Sequence, residues 1–494
     1  MKKLQIILWG MLFICCPMQA QIQGCEYEVP GNAFYVETGD VNGDGFTDVV
    51  IGHANNPFLP TQQNDVKISV MLNDGEGRFS LSQTIDLVND GTILLRDFDN
   101  DGYPDIAKIQ CAITSSESSY LRVYYNDGAG DFSRYSDFGL VNDPTGEFTN
   151  LYSLIVPADL NGDGWTDLII GSETLSNCYH HQNILFNDGE GNFPTAVQWQ
   201  HETRIITVCD LNNDGFDDIV EDGSHVFYGG EVFPSDPTLL EPNFGSFYDQ
   251  RCQVVTDFDN DGMADICVFM RIDEETTNLY LYKNEGSGTF ALYNTLPFAY
   301  PASLMNSEYN NAGNMAKTMN FDGDPYPDMV VGMVAEDQSY FCIFKGTGQM
   351  LLEEPAILPY EVPQYITDYE VADINRDGFG DLLGVYTMYD SPSYEAKSRL
   401  LVFFNDGEGS FTTGQEEHLV QSPVTLSPNP ANDIVRIGGS EADEVEVYNA
   451  LGQLVKTVQG TNEISVAGLP EGVYVLCITD DKGNAFTERV SVGR

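Results

Sequence analysis

A nine-residue acidic motif recurs seven times along this chain of 494 residues. The copies read DVNGDGFTD, DFDNDGYPD, DLNGDGWTD, DLNNDGFDD, DFDNDGMAD, NFDGDPYPD and DINRDGFGD, and they begin at Asp40, Asp97, Asp159, Asp210, Asp257, Asn320 and Asp373. We number them loops 1 to 7, and the residues within each are positions 1 to 9. Successive copies start 47 to 63 residues apart. A unit repeated at a period near fifty indicates a propeller or a solenoid rather than a single sandwich.

A second motif, rich in asparagine, aspartate and glycine, alternates with the first. NDGEGRF, NDGAGDF, NDGEGNF, NEGSGTF and NDGEGSF are clear copies, and YGGEVF and KGTGQM are weaker ones; they start at Asn73, Asn126, Asn187, Asn284, Asn405, Tyr228 and Lys345. Asn-Asp-Gly with further glycine between apolar runs is typical of β-hairpin turns, because these residues accept positive φ. We call these seven segments the NDG turns.

Apolar runs before and after both motifs predict four strands in each repeat. Examples are RIITVC (204–209) before loop 4 and LYLYKN (279–284) before an NDG turn. Four-stranded antiparallel units repeated radially form a β-propeller, so the predicted fold is all-β with seven blades. We expect residues 24–39 to supply a first inner strand, and the forty or so residues after Asp381 to hold the last three strands of the final blade.

Strand direction predicts which connections share a face. In an up-and-down blade the acidic loop and the NDG turn are the first and third connections, so both lie on one face. The second and fourth connections lie on the other face and include long segments at 53–65, 171–182, 298–313 and 386–397. Long loops on a rigid scaffold often carry binding, so we expect a glycan or protein ligand on that face. Its candidate contact residues are Tyr179, Trp199, Tyr300, Tyr309, Tyr389 and Tyr394.

Each acidic loop offers oxygen ligands at the spacing that Ca²⁺ prefers. Side-chain oxygens stand at positions 1, 3, 5 and 9, position 7 supplies a backbone carbonyl, and a glycine at position 6 allows a sharp turn. An apolar residue such as Ile51 at position 12 and a following strand exclude an EF-hand. The candidate ligands are Asp40, Asn42, Asp44, Phe46, Asp48, Asp97, Asp99, Asp101, Tyr103, Asp105, Asp159, Asn161, Asp163, Trp165, Asp167, Asp210, Asn212, Asp214, Phe216, Asp218, Asp257, Asp259, Asp261, Met263, Asp265, Asn320, Asp322, Asp324, Tyr326, Asp328, Asp373, Asn375, Asp377, Phe379 and Asp381.

Two details refine the calcium prediction. The large apolar side chains at position 7 are expected to pack each loop onto the core of its blade, with only the carbonyl as a ligand. Loop 6 is expected to bind weakly, because Asn320 replaces the first aspartate and Pro325 replaces the turn glycine with a fixed negative φ.

The two motifs together resemble FG-GAP repeats of the VCBS type, as found in the calcium-binding blades of integrin α-subunits. The resemblance covers roughly residues 24–420. It implies a seven-bladed propeller with calcium loops between the first two strands of each blade, which agrees with the strand pattern. We therefore assign residues 21–421 to the propeller.

The last seventy or so residues lack both motifs and show a different sequence pattern. Short strand patterns separated by glycine and proline turns predict a small β-sandwich over residues 422–494. SPNPANDIV, VYNALGQLV and GLPEGVYVL resemble motifs of the C-terminal sorting domain of type IX secretion cargo. This resemblance implies secretion machinery as a partner, and release outside the cell or attachment at the outer-membrane surface. An ordinary accessory sandwich is the alternative.

The N-terminus has the pattern of a secretory signal peptide. Residues 1–20 comprise a basic start, an apolar stretch and a small residue, Ala20. A transmembrane anchor and, because of Cys15 and Cys16, a lipoprotein signal are the alternatives. No later stretch is long and apolar enough to cross a membrane, so the mature chain is expected to have no transmembrane segment.

The net charge limits the classes of binding partner, and the cysteine spacing bears on disulfide bonds. The formal net charge of −54 disfavours nucleic acid and anionic membranes, while 42% hydrophobic residues provide ample material for a core. The cysteines after the signal peptide are scattered without a framework spacing, and most stand in apolar runs. Buried free thiols are therefore the simplest interpretation, and the sequence supports no particular pairing.

Two functions fit this pattern. The first is a secreted or surface-exposed binding and adhesion module, stabilised by calcium and not an enzyme. The second is a carbohydrate-active enzyme, a polysaccharide lyase or hydrolase on a propeller scaffold. The six histidines are His53, His180, His181, His201, His225 and His418, and they stand in no recognised catalytic motif. Binding is therefore the favoured hypothesis.

Overall fold

A computed structural model describes most of the chain between Cys25 and Val492. The described residues are 25–54, 66–87, 91–110, 119–140, 151–173, 181–199, 206–230, 237–241, 251–271, 277–286, 288–298, 303–304, 316–335, 338–353, 355–360, 366–389, 395–407, 411–412, 425–427, 431, 433–438, 442–449, 454–470, 472–480 and 485–492. The signal-peptide prediction lies outside these residues. The described part holds no helix that is long and apolar enough to cross a membrane.

The strands of the larger unit group into seven sheets. In chain order they are β1 (Cys25–Val29); blade 1, β2 (Ala33–Gly39), β3 (Asp48–His53), β4 (Lys67–Asn73), β5 (Phe79–Asp86); blade 2, β6 (Ile93–Arg96), β7 (Asp105–Gln110), β8 (Tyr120–Tyr125), β9 (Arg134–Gly139); blade 3, β10 (Leu151–Ala158), β11 (Asp167–Glu173), β12 (His181–Phe186), β13 (Thr195–Trp199); blade 4, β14 (Ile206–Cys209), β15 (Asp218–Glu221), β16 (His225–Phe227), β17 (Thr238–Leu239); blade 5, β18 (Arg251–Thr256), β19 (Asp265–Arg271), β20 (Thr277–Asn284), β21 (Phe290–Phe298); blade 6, β22 (Ser303–Leu304), β23 (Ala316–Met319), β24 (Asp328–Ala335), β25 (Gln338–Phe344), β26 (Ala356–Tyr360); and blade 7, β27 (Ile366–Ala372), β28 (Asp381–Tyr389), β29 (Ala396–Asn405), β30 (Phe411–Thr412).

The sheets form a closed ring, which confirms the prediction of an all-β, seven-bladed propeller. Within each blade the strands pair antiparallel, and in every blade except blade 6 they pair with their neighbours along the chain. The innermost strands contact one another in sequence from β2 through β6, β10, β14, β18 and β23 to β27, and β27 returns to β2. Apolar side chains of adjacent blades pack together; Val50 and Val70 of blade 1, for example, share a core with Ile106 of blade 2.

The last blade differs from its prediction, because both ends of the propeller contribute to it. β1 pairs with β29 from Cys25 opposite Val402 to Val29 opposite Ser398, whereas β30 pairs only with the end of β29. The residues from Asp381 onward supply three strands, as expected, but β1 provides most of the outer edge. The two residues of β30 leave most of the β29 edge unpaired, and β1 covers that edge, which closes the ring with backbone hydrogen bonds.

Blade 6 contains a second departure. Its inner edge is divided between β22 and β23, which pair with different parts of β24. Ser303 and Leu304, expected within a long connection, are therefore part of the sheet.

The smaller unit comprises Gln415–Arg494. Its strands are β31 (Thr425–Ser427), β32 (Ile434–Gly438), β33 (Ala442–Asn449), β34 (Leu454–Gln459), β35 (Glu463–Ser465), β36 (Gly472–Asp480) and β37 (Ala485–Val492). They form one sheet in the order β31-β32-β35 and another in the order β34-β33-β36-β37. Side chains from both sheets, such as Val435 and Leu476, share one core.

Candidate metal centres

The acidic loops have one length and one position in every blade. Eight residues separate the first strand from the second in all seven blades, for example from Gly39 to Asp48 in blade 1. The connections between the second and third strands vary from two residues in blade 6 to thirteen in blade 1. The acidic loops are therefore a uniform feature of the ring, and the connections at the other end are not.

Backbone hydrogen bonds hold six of the loops in a common shape. The N–H of the position 6 glycine donates to the position 1 carboxylate, as from Gly45 to Asp40 at 2.7 Å. The N–H at position 7 donates to the position 5 carboxylate, as from Phe46 to Asp44 at 2.8 Å. Gly45 has φ +83°, a region that favours glycine, so the turn chemistry read from the sequence is confirmed.

The aspartate at position 9 joins the acidic loop to the NDG turn. Asp105 is fully buried, and its two oxygens accept the N–H groups of Phe98 at 3.1 Å and Asn126 at 2.8 Å. The equivalent pair of bonds occurs at all seven loops. Both connections therefore lie on one face. Burial raises the pKa of Asp105 to about 7, and a nearby cation would favour its ionised form.

The asparagine of the NDG turn binds two blades together, a role that the hairpin interpretation missed. In blade 1 the amide nitrogen Nδ2 of Asn73 donates to the carbonyl of Thr47 at 3.1 Å and to that of Ile374, in loop 7, at 2.9 Å. Bonds to the preceding blade recur at Asn126, Asn187, Asn284 and Asn405. We call this arrangement the asparagine clasp. Glycine replaces it in blades 4 and 6, at Gly229 and Gly346.

The prediction that position 7 side chains pack into the blade core is wrong. Phe46 is half-buried and lies flat over Gly75 of its own NDG turn, where an added Cβ would stand 2.4 Å from the ring. Tyr103, Trp165, Tyr326 and Phe379 lie in the same way over the turn glycines of their blades. A glycine is needed there because no side chain fits beneath the ring, so these side chains pack the two connections together.

Loops 2 and 5 show the features expected of a calcium site. One oxygen each from Asp97, Asp99 and Asp105 lie within 4.8 Å of one another, and the corresponding oxygens of loop 5 do the same. Oδ1 of Asp97 and of Asp99 is buried without a hydrogen-bond partner. In loop 2 these buried oxygens converge without a donor, which fits a hard divalent cation, whereas in loop 5 Lys283 donates to Asp259. The other five loops carry asparagine at position 1 or 3, so they cannot form the same three-carboxylate group there.

Loop 6 is built differently, as its sequence suggested. Pro325 has no N–H to donate to position 1, and the Asn320 amide instead donates to the carbonyl of Asp324. The Asn320 oxygen accepts the N–H of Gly323 at 2.6 Å. Asparagine at position 1 thus compensates for proline at position 6, because an aspartate would have no hydrogen to donate.

A cavity of about 450 Å³ lies where the innermost strands meet. We call it the channel. Glu37, Arg96, Lys317 and Glu370 contribute to its lining, and Lys317 forms an ion pair with Glu370. Burial and the neighbouring Glu370 raise the pKa of Glu37 well above its usual range. A carboxyl group with a raised pKa in a cavity is chemically notable, and no local sequence pattern marks Glu37, because strands that are distant in the chain bring the lining residues together.

Two of the aromatic residues proposed as ligand contacts are described, and both have contacts within the fold. Trp199 is buried, with its ring edge-on to Phe227, and Tyr389 donates a hydrogen bond from its hydroxyl to Asn32. The other four, Tyr179, Tyr300, Tyr309 and Tyr394, lie outside the described residues. Most of the long connections in which they stand also lie outside them.

The histidines and cysteines that are described do not form a reactive group. His53 is buried beside the Ser69 hydroxyl, and burial lowers its pKa to about 3. His225 is half-buried beside Ser224. Five cysteines are free thiols, namely Cys25, Cys209, Cys252, Cys267 and Cys342. His180, His201 and His418 lie outside the described residues.

Comparison with known families finds a matching family model in each of the two units. A family model described as an FG-GAP-like repeat matches residues 40–108, 97–170 and 159–221, and one described as a secretion system C-terminal sorting domain matches 425–492. This chain is an FG-GAP-repeat β-propeller protein with a C-terminal secretion sorting domain. The sorting domain indicates type IX export to the outer-membrane surface or the extracellular space, and it confirms the secretion machinery as a partner.

Solved structures show a distant similarity to this FG-GAP propeller protein. The core factor of S. cerevisiae is 10% identical over 82% of this chain, with a TM-score of 0.44, and the chain spans 64% of that structure. The V. cholerae biofilm matrix protein Bap1 is 12% identical, covering 94% of this chain and 81% of its own, with a TM-score of 0.29. At these scores neither similarity indicates a function.

Proposed function

We propose that this exported propeller is a calcium-stabilised binding module for a glycan or protein ligand. The observation that carries the proposal is the difference between the two faces. One face has seven loops of identical length that are hydrogen-bonded to the NDG turns. The opposite face has connections that vary from two to thirteen residues between the second and third strands. Variable connections on a rigid ring are suited to ligand recognition.

Calcium is proposed to stabilise the first face. The residues that would hold it are the side chains at positions 1, 3, 5 and 9, with the carbonyl at position 7. The unpartnered oxygens of Asp97 and Asp99 support this role. When bound, the ion would supply positive charge among carboxylates that otherwise repel one another. We assign the loops a structural role, because their hydrogen bonds are directed into the scaffold.

A binding screen with a parallel activity assay tests the proposal. The full chain is applied to glycan and protein arrays in calcium, and the same glycans are assayed for new reducing ends. Alanine at Tyr179, Tyr300, Tyr309 and Tyr394 is expected to weaken binding with little change in melting temperature. Alanine at Glu76 and Glu190, exposed residues of the NDG turns, is the matched control and should leave binding intact. Loss of binding on the turn face would contradict the assignment.

Carbohydrate cleavage is the second candidate, and the channel is the observation that favours it. Its carboxylates Glu37 and Glu370 line one cavity, and general acid catalysis needs a carboxyl with a raised pKa. New reducing ends that disappear in Glu37→Gln and persist in Glu76→Gln would favour an enzyme over a binding module.

A further inference from the structure

The residue at position 3 divides the seven loops into two groups. Four loops carry asparagine there, and three carry aspartate: Asp99, Asp259 and Asp322. Each of these three aspartates contacts a basic side chain. Arg134 contacts Asp99 at 2.9 Å, Lys345 contacts Asp322 at 3.2 Å, and Lys283 contacts Asp259. Within the described residues, no ion pair involves the aspartates of the four asparagine loops.

The pairing has a simple electrostatic cause. In loop 1 the amide of Asn42 donates to the carboxylate of Asp44 at 2.9 Å, and the asparagines of loops 4 and 7 do the same. An aspartate at position 3 adds a negative charge and removes that donor. A basic side chain restores both the donor and the charge balance. The seven loops therefore do not depend equally on an external cation.

The two lysines occupy a strand position that is different in the other blades. Lys283 and Lys345 stand immediately before the residue whose N–H binds the position 9 aspartate. The equivalent residues are Leu72, Tyr125, Phe186, Tyr228 and Phe404. Lys283 lies in β20 and Lys345 directly follows the end of β25, so their ammonium groups approach the loop from within the blade.

Lys283 contacts two carboxylates of its loop at once. Its Nζ donates to Asp259 at position 3 and to Asp261 at position 5, the latter at 2.6 Å. The Lys283 side chain is 24% exposed, whereas that of Arg134 is 69% exposed and pairs with the position 3 aspartate alone among the described carboxylates of loop 2. The ammonium of Lys283 thus bridges two of the groups that would coordinate calcium, and Arg134 approaches loop 2 from outside.

We propose that Lys283 and Lys345 act as built-in cations of loops 5 and 6, which keep these loops folded without calcium and oppose its binding there. The calcium part of the inference rests on the proposed function. Loop 5 is the informative case, because its nine positions match a complete calcium motif and only the neighbouring Lys283 sets it apart. A calcium ion entering loop 5 must displace the ammonium, and hydrogen bonds to charged groups are strong enough to weaken binding about tenfold or more.

Reciprocal substitutions test the proposal by calorimetric calcium titration of the full chain. Lys283→Leu introduces the residue that blade 1 carries at Leu72 and is expected to add one site, or to tighten one by about tenfold or more. Leu72→Lys is expected to remove or weaken one site by a similar factor. Arg134→Leu is the matched control and should leave the number of sites unchanged. An unchanged titration in both lysine variants would overturn the proposal.

A melting experiment separates this inference from the calcium hypothesis. In EDTA, Lys283→Leu is expected to melt below the wild type, because loop 5 loses the cation that pairs with Asp259 and Asp261. In excess calcium the difference should shrink, since the ion replaces the ammonium. A wild type that binds no calcium would refute the calcium hypothesis alone. An unchanged melting temperature of Lys283→Leu in EDTA would refute the role of the lysine.

Discussion

Removal of the asparagine clasp at the ring closure should destabilise the whole propeller. Asn73 is 3% exposed, and Asn73→Ala deletes both of its donated bonds, including the one to Ile374 in loop 7. Its Oδ1 also accepts the N–H groups of Gly75 at 3.0 Å and Gly77 at 3.1 Å. Four buried or partly buried hydrogen bonds at roughly 0.5–1.5 kcal/mol each suggest a loss of about 2–6 kcal/mol in the free energy of unfolding.

Differential scanning calorimetry converts this loss into a temperature. The larger unit holds about 390 residues after Cys25, and an unfolding entropy of roughly 2.1 cal/mol/K per residue gives about 0.8 kcal/mol per degree. Asn73→Ala should therefore melt about 3–7 °C below the wild type. Glu76→Ala, an exposed change in the same turn, is the matched control and should shift the melt by less than about one degree. If the two variants melt together, the clasp does not stabilise the ring.

Four further outcomes are expected. EDTA should lower the melting temperature by about ten degrees or more, since each site loaded at ten times its Kd adds roughly 1.4 kcal/mol; an unchanged melt would refute structural calcium. Pro325→Gly alone should leave loop 6 weak by calcium titration, because Asn320 remains bonded to the carbonyl of Asp324, while Asn320→Asp with Pro325→Gly should bind more tightly than either single variant. Deleting residues 427–494 should leave the propeller folded but retain it in the periplasm, which cell fractionation checks; surface or medium localisation would contradict this. Burial raises the pKa of Asp368 from 3.8 to about 7, although the positive charge of Lys317 opposes the shift. Between pH 3.8 and about pH 7 the folded state therefore keeps a proton on Asp368 that the unfolded state has lost. Stability from this group therefore falls as pH rises through that window, and the melting temperature of Asp368→Asn relative to the wild type should rise from pH 4 to pH 8.

Features that depend on neighbouring residues in the chain could be read from the sequence. The seven acidic motifs and the NDG turns predicted the blade count and the four strands per blade, because turn chemistry and apolar alternation act over a few residues. The glycine at position 6 predicted the loop shape, and Pro325 marked loop 6 as different. The tail motifs predicted a separate sorting domain, which the family comparison confirms.

Features that depend on contacts between distant residues appeared only in the tertiary structure. Ring closure by β1 brings Cys25 opposite Val402, and the clasp joins Asn73 to Ile374. Neither contact leaves a local pattern, so the NDG motif by itself predicts only a turn. The lysine of LYLYKN likewise has the character of an ordinary strand residue until the fold places its ammonium against Asp259 and Asp261. Local sequence determined which units form, whereas packing around the ring decided which side chains of those units meet.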